Sequence, residues 1–410
     1  MALDLVVVGL GYVGLPLARA ACAAGLAVAG VDTSREVVAG LRAGRSHVGD
    51  ITDAEVAEML AAGFTATANP APVGAADTVV ICVPTGLVDG EPDLSAVLSA
   101  ARSVARHLRP GTLVVLESTS FPGTTEEVLA PVLESGGLVA GADFHLAFSP
   151  ERIDPGNTAF SFRSTPKVVG GLTPVCAKRC AAFYEDLVDT VVVASGLREA
   201  ETAKLLENSY RLVNIALVDE LAVFCAGLGV DVWEVLRCAA TKPFGFQPFR
   251  PGPGVGGHCI PVYPRPADAR ALASARPASM ITTALEVTAG MPGYVARRAC
   301  ELLAAERPVA GSSALLVGVA YKADVADVRQ TPATSVVRQL RALGVRVAYH
   351  DPHVPAFAVD GVPVPAGSGP CDIAVVLQDH AAVDLGEVLR DARCVLDTRG
   401  VAEGDNVVRL

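Results

Sequence analysis

The sequence predicts an α/β chain with two Rossmann-like doubly wound domains joined by a long-helix central domain. Three observations predict it. Residues 4–31 read as strand, glycine-rich turn, helix and strand, closing on Asp32. Residues 198–228 carry apolar side chains at helical spacing over one long stretch. After about residue 306, short apolar runs again alternate with helical patterns, as in a second parallel sheet. The expected divisions are 1–196 for a dinucleotide-binding domain, 197–300 for a central helical domain, and 301–410 for a second Rossmann-like domain.

The first unit begins with DLVVV (4–8), apolar on both faces as a buried parallel strand requires. Gly9, Gly11 and Gly14 follow in GxGxxG spacing, with Tyr12 and Val13 between the last two, and a helix runs from Leu15 to about Ala24. The first glycine allows the tight turn, the second lets backbone N–H groups approach a pyrophosphate, and the third lets helix and strand pack closely. The helix N-terminus favours negative charge there. Strand 27–31 then presents Asp32, which can accept both ribose hydroxyls and so favours NAD over NADP. Arg35 is the competing signal, since it could meet a 2′-phosphate. Further strands are expected at 78–83, 112–116, 144–148 and 190–193. Three of them end in polar clusters: Pro84-Thr85-Gly86, Glu117-Ser118-Thr119 and Ser149-Pro150-Glu151-Arg152. Ligands of doubly wound sheets sit at the carboxyl ends of strands, so these clusters line one cleft.

In the middle stretch, Lys204 and Asn208 are four apart and share a helix face. A second helix is expected at 232–240. The segment 242–266 is dense in proline and glycine, and long irregular loops inside compact domains are often functional. A helical stretch over about 278–306 leads into strands at 314–319, 345–349, 373–377 and 394–396. The turn after the first of these, Gly318-Val319-Ala320-Tyr321-Lys322, is not a dinucleotide fingerprint.

Composition narrows the function classes. The chain has 410 residues, enough for two to three domains at about 150 residues each. Apolar residues are 51% and charged residues 19%, which supports large cores and excludes disorder. Aromatics are only 5%, so small aliphatic residues fill the interior. With 33 Lys plus Arg against 44 Asp plus Glu, the net charge is −11, which argues against nucleic acid as a partner. The start MALDLVVVGL lacks the basic region of a secretion signal, and the weakly charged stretch 5–31 is broken by Arg19 and glycines, so no membrane partner is expected. Ten cysteines without a CxxC or zinc spacing point to structural thiols in a reducing cytoplasm and to no metal.

Eight motifs in order resemble the nucleotide-sugar dehydrogenases, the UDP-glucose/UDP-N-acetylhexosamine 6-dehydrogenase family. They are GLGYVGLPLA (9–18), VPTG (83–86), ESTSFPGTT (117–125), FSPERIDPGN (148–157), ETAKLLENSY (201–210), GPGVGGHCIP (252–261), GVAYKADVADVRQTP (318–332) and DTR (397–399). They span nearly the whole chain. GHCIP and SPERIDPGN are similar to the branch acting on UDP-N-acetylglucosamine or UDP-N-acetylmannosamine, and KPFGFQPF (242–249) leans toward N-acetylglucosamine. The resemblance implies oxidation of a sugar C6 hydroxyl to a carboxylate with two NAD reduced. UDP-glucose or another nucleotide hexose is the alternative substrate. A weakened NAD- and sugar-binding homologue is the alternative outside catalysis. It further implies a homodimer or higher homo-oligomer, with the long helix in the dimer core.

The resemblance also implies roles. Cys259 is the nucleophile toward the aldehyde. Lys204 and Asn208 stabilise oxygen charge at C6. Glu151 activates the hydrolytic water, and Thr119 holds a water near C6. Gly9, Gly11, Tyr12, Val13, Gly14, Asp32, Arg35, Pro84, Thr85 and Ser118 form the cofactor side. Arg329 is expected at the cofactor or the diphosphate. Ser149, Pro150, Arg152, Phe249, Arg250, Gly256, Gly257 and Lys322 form the sugar-nucleotide side. His258, next to the nucleophile, is read as structural or as a sugar-pocket contact rather than an acid or base.

Three positions depart from the family. Tyr263 stands where the family has an Asp four residues after the cysteine, and the segment that follows departs from the family's aromatic-rich helix. A tyrosine hydroxyl ordinarily titrates near 10, about six units above Asp, so a tyrosine here is expected to be neutral where the family residue is an anion. Arg250 stands where the N-acetylglucosamine branch has an aromatic. Asp219 stands where Asn is common, and is read as a helix-face or interface change. Tyr263→Asp is expected to change kcat more than NAD affinity, read by steady-state kinetics beside a binding titration. Complete loss of activity would show that the position serves another purpose.

Overall fold

The computed structural model describes residues 2–88, 91–154, 159–257 and 279–410. The expectations for His258, Cys259 and Tyr263 lie outside the described residues. The described chain forms two compact units, one ending at Glu207 and the other beginning at Asn208.

The first unit follows the predicted alternation. In chain order it contains β1 (Leu3–Val8), α1 (Gly14–Ala23), β2 (Val28–Val31), α2 (Arg35–Arg42), α3 (Asp53–Ala61), β3 (Thr65–Thr67) and β4 (Ala76–Ile81). A small hairpin, β5 (Gly86–Val88) with β6 (Glu91–Asp93), precedes α4 (Ser95–Ala105). Then come β7 (Leu113–Leu116), α5 (Ala130–Glu134), β8 (His145–Phe148), β9 (Lys167–Gly171), α6 (Pro174–Glu185) and β10 (Val191–Val193). The eight-stranded sheet has the order β10-β9-β8-β7-β4-β1-β2-β3. Strand order reverses between β1 and β4, which opens the crevice used by dinucleotides. Strand β9 runs antiparallel to β8, so Lys167 begins β9 beside the carboxyl end of β8.

Alternation along the strands divides the core in two. Leu5, Val7, Val80 and Val115 pack toward α1 and α6. Val6, Val8, Val79, Ile81, Val114 and Leu116 pack toward α4 and α5. Both faces are covered, as the near-continuous apolar strand sequences require.

Helix α7 (Leu197–Leu228) starts inside the second of these cores through Leu197 and Ala200. One turn on, the fully buried Glu201 carboxylate accepts the N–H of Gly123 (2.6 Å), the N–H of Thr125 (2.9 Å) and the Thr125 hydroxyl (2.7 Å). The ETAKLLEN and ESTSFPGTT motifs are therefore joined by a buried hydrogen-bond cluster.

The second unit continues with α8 (Val232–Ala239), α9 (Ser279–Ala304), β11 (Ser313–Val317), α10 (Pro332–Ala342) and β12 (Arg346–His350). The hairpin β13 (Phe357–Val359) with β14 (Val362–Val364) follows, then β15 (Cys371–Val376), α11 (Leu385–Val388), β16 (Ala392–Asp397) and β17 (Val407–Arg409). Its parallel sheet has the order β12-β11-β15-β16-β17. Val218, Ala222 and Cys225 of α7 pack with α8, α9, α10 and one face of this sheet. Among the described residues, no helix is long and apolar enough to cross a membrane.

Glu201→Ala leaves three donors without their acceptor in a dry site. The expected loss is about 2–4 kcal/mol, read from denaturant midpoints. A midpoint equal to the unchanged protein's would show that α7 docks without this cluster.

Candidate active site

The nucleotide half of the site is built on the turn after β1. Gly9 adopts φ +94°, and a Cβ there would lie 2.8 Å from the Cys82 carbonyl oxygen. At Gly14 a Cβ would meet the Gly9 oxygen at 1.9 Å, so α1 starts hard against the turn. Around Gly11 the Cβ position has no atom within 4 Å. The middle of the turn therefore faces open space, and no side chain caps the N-terminus of α1. Asp32 closes the cradle: its Oδ2 accepts the Leu10 N–H (2.9 Å) and its Oδ1 the Ser34 N–H (2.8 Å). A carboxylate has about four acceptor sites, so this one keeps capacity for ribose hydroxyls. Arg35 is exposed at the start of α2. A cradle closed to side chains at Gly9 and Gly14 and open at Gly11 fits the pyrophosphate of NAD.

Hydrogen bonds tie the strand-end loops to one another. Thr85 donates its hydroxyl to the Thr119 carbonyl (2.9 Å), and Ser118 donates to the Val83 carbonyl (2.7 Å). Pro84 is exposed and Thr119 half-buried. Ser149 is fully buried and gives its hydroxyl to the Val168 carbonyl (2.8 Å), with Pro150 buried beside it. Arg152 donates to the Pro166 carbonyl (2.6 Å) and pairs with Glu207 (2.9 Å).

Glu151 keeps some accessible surface as a residue, but its carboxyl is the buried end. Oε1 accepts the Ile153 N–H, and Oε2 is buried with no hydrogen-bond partner among the described residues. Burial pushes this carboxyl above the ordinary glutamate value. Lys167 opposes that push, Glu117 reinforces it, and Lys204 opposes it more weakly.

Helix α7 carries Lys204 and Asn208 one turn apart. Asn208 is buried, and its Nδ2 has no hydrogen-bond partner among the described residues. Further along the second unit, Phe249 packs edge-on against Tyr210 with ring centroids 5.9 Å apart, and Arg250 is exposed. Gly256 and Gly257 lie flat on Tyr321. A Cβ at Gly257 would sit 2.7 Å from that ring, where φ is +85°. The Gly257 N–H also donates to the Arg329 carbonyl (3.0 Å). Lys322 follows Tyr321 in the loop after β11 and is half-buried. The last two residues of GPGVGG are thus packed on the loop that carries Lys322. The Arg329 guanidinium forms a fork with Asp327 through Nε (2.9 Å) and Nη2 (2.6 Å).

Asp219, read from the sequence as a helix-face or interface position, sits on an inward-turned face of α7. It is fully buried and accepts the Gly252 N–H (2.9 Å), and its Oδ2 has no hydrogen-bond partner among the described residues. Burial pushes its carboxyl up to about 7, against the opposing Gly252 N–H and the Arg399 charge. Asp324, His353 and His380 bring ligand-type atoms within 4.8 Å of one another. Both nitrogens of His380 are already engaged: Nδ1 accepts the Asp324 N–H (2.9 Å) and Nε2 faces Asp351 Oδ2 (3.1 Å). This cluster fastens three loops of the second unit.

Lys167 and Tyr184 escape sequence reasoning, and Glu117, expected among the residues lining the cleft, is instead fully buried, as is Glu201. Glu117 and Lys167 form an ion pair in the interior (2.7 Å), and Tyr184 donates its hydroxyl to Glu117. The available signal was Lys167 itself, a charge at the mouth of the apolar run VVGG, which must find an opposite charge if it is buried.

An NAD-dependent oxidoreductase is the class that the dinucleotide cradle and the doubly wound sheet define. The chain belongs to the UDP-glucose/GDP-mannose dehydrogenase family. That family's NAD binding domain matches residues 3–188, its central domain residues 198–289 and its UDP binding domain residues 315–404. The chain is 34% identical over 424 residues to a UDP-N-acetyl-D-mannosamine dehydrogenase of Salmonella typhi, covering 96% of this chain and 98% of that one. It is 36% identical over 358 residues to a UDP-N-acetyl-D-glucosamine 6-dehydrogenase of Pseudomonas aeruginosa, covering 86% and 84%. A solved UDP-D-ManNAc dehydrogenase from Pyrococcus horikoshii superposes with a TM-score of 0.89 at 30% identity, covering 99% and 98%.

Because the native state holds Asp219 protonated to a higher pH than the unfolded chain does, this residue costs stability as pH rises from about 4 through about 7. Asp219→Asn keeps the acceptor for Gly252 and removes that cost. Its gain in unfolding free energy is expected to be about 2 kcal/mol larger at pH 8 than at pH 5. A gain independent of pH would contradict the protonated state of Asp219.

Proposed function

We propose that the protein oxidises the C6 hydroxyl of a UDP-N-acetylhexosamine to a carboxylate. The overall balance is R–CH2OH + 2 NAD⁺ + H2O → R–COO⁻ + 2 NADH + 3 H⁺. The observation that carries this reading is Glu151, just past β8, a carboxylate with one oxygen buried and without a partner among the described residues. An enzyme stopping at the aldehyde has no use for such a base, whereas hydrolysis of an acyl-enzyme requires one.

When bound, NAD supplies the hydride acceptor for both oxidations. The residues that would hold it are Gly9, Gly11, Tyr12, Val13, Gly14 and Asp32, with Thr85 and Ser118 tying the neighbouring loops. Lys204 and Asn208 act on the C6 oxygen, one as a cation and one as a neutral donor. The Nδ2 of Asn208, without a partner among the described residues, supports this, since a buried amide in that state favours an incoming oxygen. Cys259 adds its sulfur to the aldehyde carbon, so that the second oxidation leaves a thioester. Glu151 takes a proton from the water that attacks the thioester carbonyl. The carbon–sulfur bond breaks, the acid leaves, and the Cys259 thiol regains its proton. Thr119 positions a water, and Lys322 meets the sugar or the diphosphate.

Of the hexosamines, the KPFGFQPF segment favours the gluco sugar, and the names of two of the three relatives favour the manno sugar. Tyr263 in place of the family Asp favours slower turnover, and in the extreme a binding homologue. Domain divisions at 1–196, 197–300 and 301–410 are part of this reading. So is a homodimer on α7, where Leu217, Phe224 and Leu228 are exposed and apolar. The nine described cysteines are all unpaired, which supports a reducing cytoplasm.

Glu151→Gln tests the hydrolytic half. After mixing with sugar nucleotide and excess NAD, it is expected to release a burst of NADH and then stall. Turnover should fall by at least about 10²-fold, with the uronyl group on Cys259 in the mass spectrum. Unchanged turnover, or full NADH yield from Cys259→Ala, would overturn the thioester route.

A further inference from the structure

The carboxyl ends of β7, β8 and the start of β9 gather charge that the reaction steps above do not use. Glu117 follows β7, is fully buried, and pairs with Lys167 at 2.7 Å. The Lys167 side chain is only 5% exposed. Its ammonium also lies 5.1 Å from the Tyr184 ring centroid and 5.7 Å from that of Phe162. Tyr184 donates to Glu117 Oε1, and the Cys82 thiol lies 3.8 Å from Oε2. The antiparallel β8–β9 pairing brings Lys167 to the end of β8 that leads into Glu151, and Ser149 fixes the crossing through the Val168 carbonyl. A buried ion pair adds little net stability over apolar packing, so stability alone does not account for it.

We propose that Lys167 and Glu117 are positioning residues that act on the reaction through Glu151, their opposed buried charges setting the pH above which its carboxyl takes a proton from water. This inference rests on the reading of Glu151 as the hydrolytic base. Lys167 favours the carboxylate form of Glu151, and Glu117 favours the acid form. The other ionisable groups facing Glu151 among the described residues are Lys204 from α7 and the Cys82 thiol after β4. Burial by itself disfavours the Lys167 ammonium, but Glu117 and Glu151 more than restore it. The Lys167 ammonium is thus paired with Glu117 and also acts on Glu151, which suits a base that must be ionised near neutral pH yet remain basic.

The experiment follows decay of the Cys259 acyl-enzyme by mass spectrometry across pH, after a single turnover with UDP-N-acetylglucosamine or UDP-N-acetylmannosamine. Lys167→Met removes the opposing positive charge and is expected to move the acid limb up by about one pH unit or more. Glu117→Gln keeps an acceptor for Tyr184, removes a negative charge, and is expected to move the limb down. Lys167→Arg should return it to the starting position. A merely structural pair predicts no shift, or shifts of the same sign in both neutralised variants, and either result would overturn the inference. Glu117→Gln is nearly isosteric and decides alone if Lys167→Met does not fold. Glu151→Gln separates the two claims. If it decays at the unchanged rate, the base reading falls. If it stalls while neither limb moves, only the role of Lys167 and Glu117 falls.

Discussion

A single buried carboxylate joins the start of α7 to the turn after β7 in the nucleotide-binding unit. Glu201 gathers two backbone amides and one hydroxyl of the Gly123–Thr125 turn, and α7 leaves the first unit from that point. Lys204 and Asn208 stand one and two turns beyond it. An unpaired donor in a dry interior costs more than a formed hydrogen bond gains, so the turn and the helix hold each other in register.

The second constraint is the handling of charge at the strand ends. The sheet places Glu117, Glu151 and Lys167 where water is scarce, and two carboxylates face one ammonium. An ordinary core would avoid such a group, and an ordinary surface would weaken it by solvation. Held in the interior, the charges stay strong, and Glu151 Oε2 is left without a partner among the described residues. The nucleotide cradle shows a different economy. Gly9 and Gly14 are used up by close backbone packing, and only the space at Gly11 is left open. In the second unit, Gly257 lets the chain lie on the ring of Tyr321, and Gly256 lets it approach the Gln330 carbonyl and Pro332.

Much of the sheet architecture was legible because parallel strands buried on both faces read as apolar runs. VVV at 6–8, VVI at 79–81, LVVL at 113–116 and IAVV at 373–376 each became a strand near the expected bounds. The long helix was equally plain, since its pattern persists from Leu197 to Leu228. Strand β9 was not legible: KVVGG is short, begins with a charge and ends in glycines, and its antiparallel partner is fixed only in three dimensions. Burial of polar side chains was also hidden. Glu117 reads like its neighbours Ser118 and Thr119, and only packing shows that it points inward to Lys167. Ser149, expected at the sugar, gives its hydroxyl proton to the Val168 carbonyl, a pairing fixed only in three dimensions. Asp219 reads as a charged helix position until Gly252 is found against it. Local composition reports which residues can do chemistry, whereas long-range pairing decides which of them are turned toward it.

The central claim is that one site carries an alcohol through the aldehyde to the acid, with the family Asp replaced by Tyr263. The most direct measurement counts NADH formed per sugar consumed, using limiting UDP-N-acetylglucosamine, UDP-N-acetylmannosamine or UDP-glucose. The account predicts two NADH per sugar for an N-acetylhexosamine substrate. One NADH per sugar, or no NADH from any of the three despite measurable binding, would contradict it.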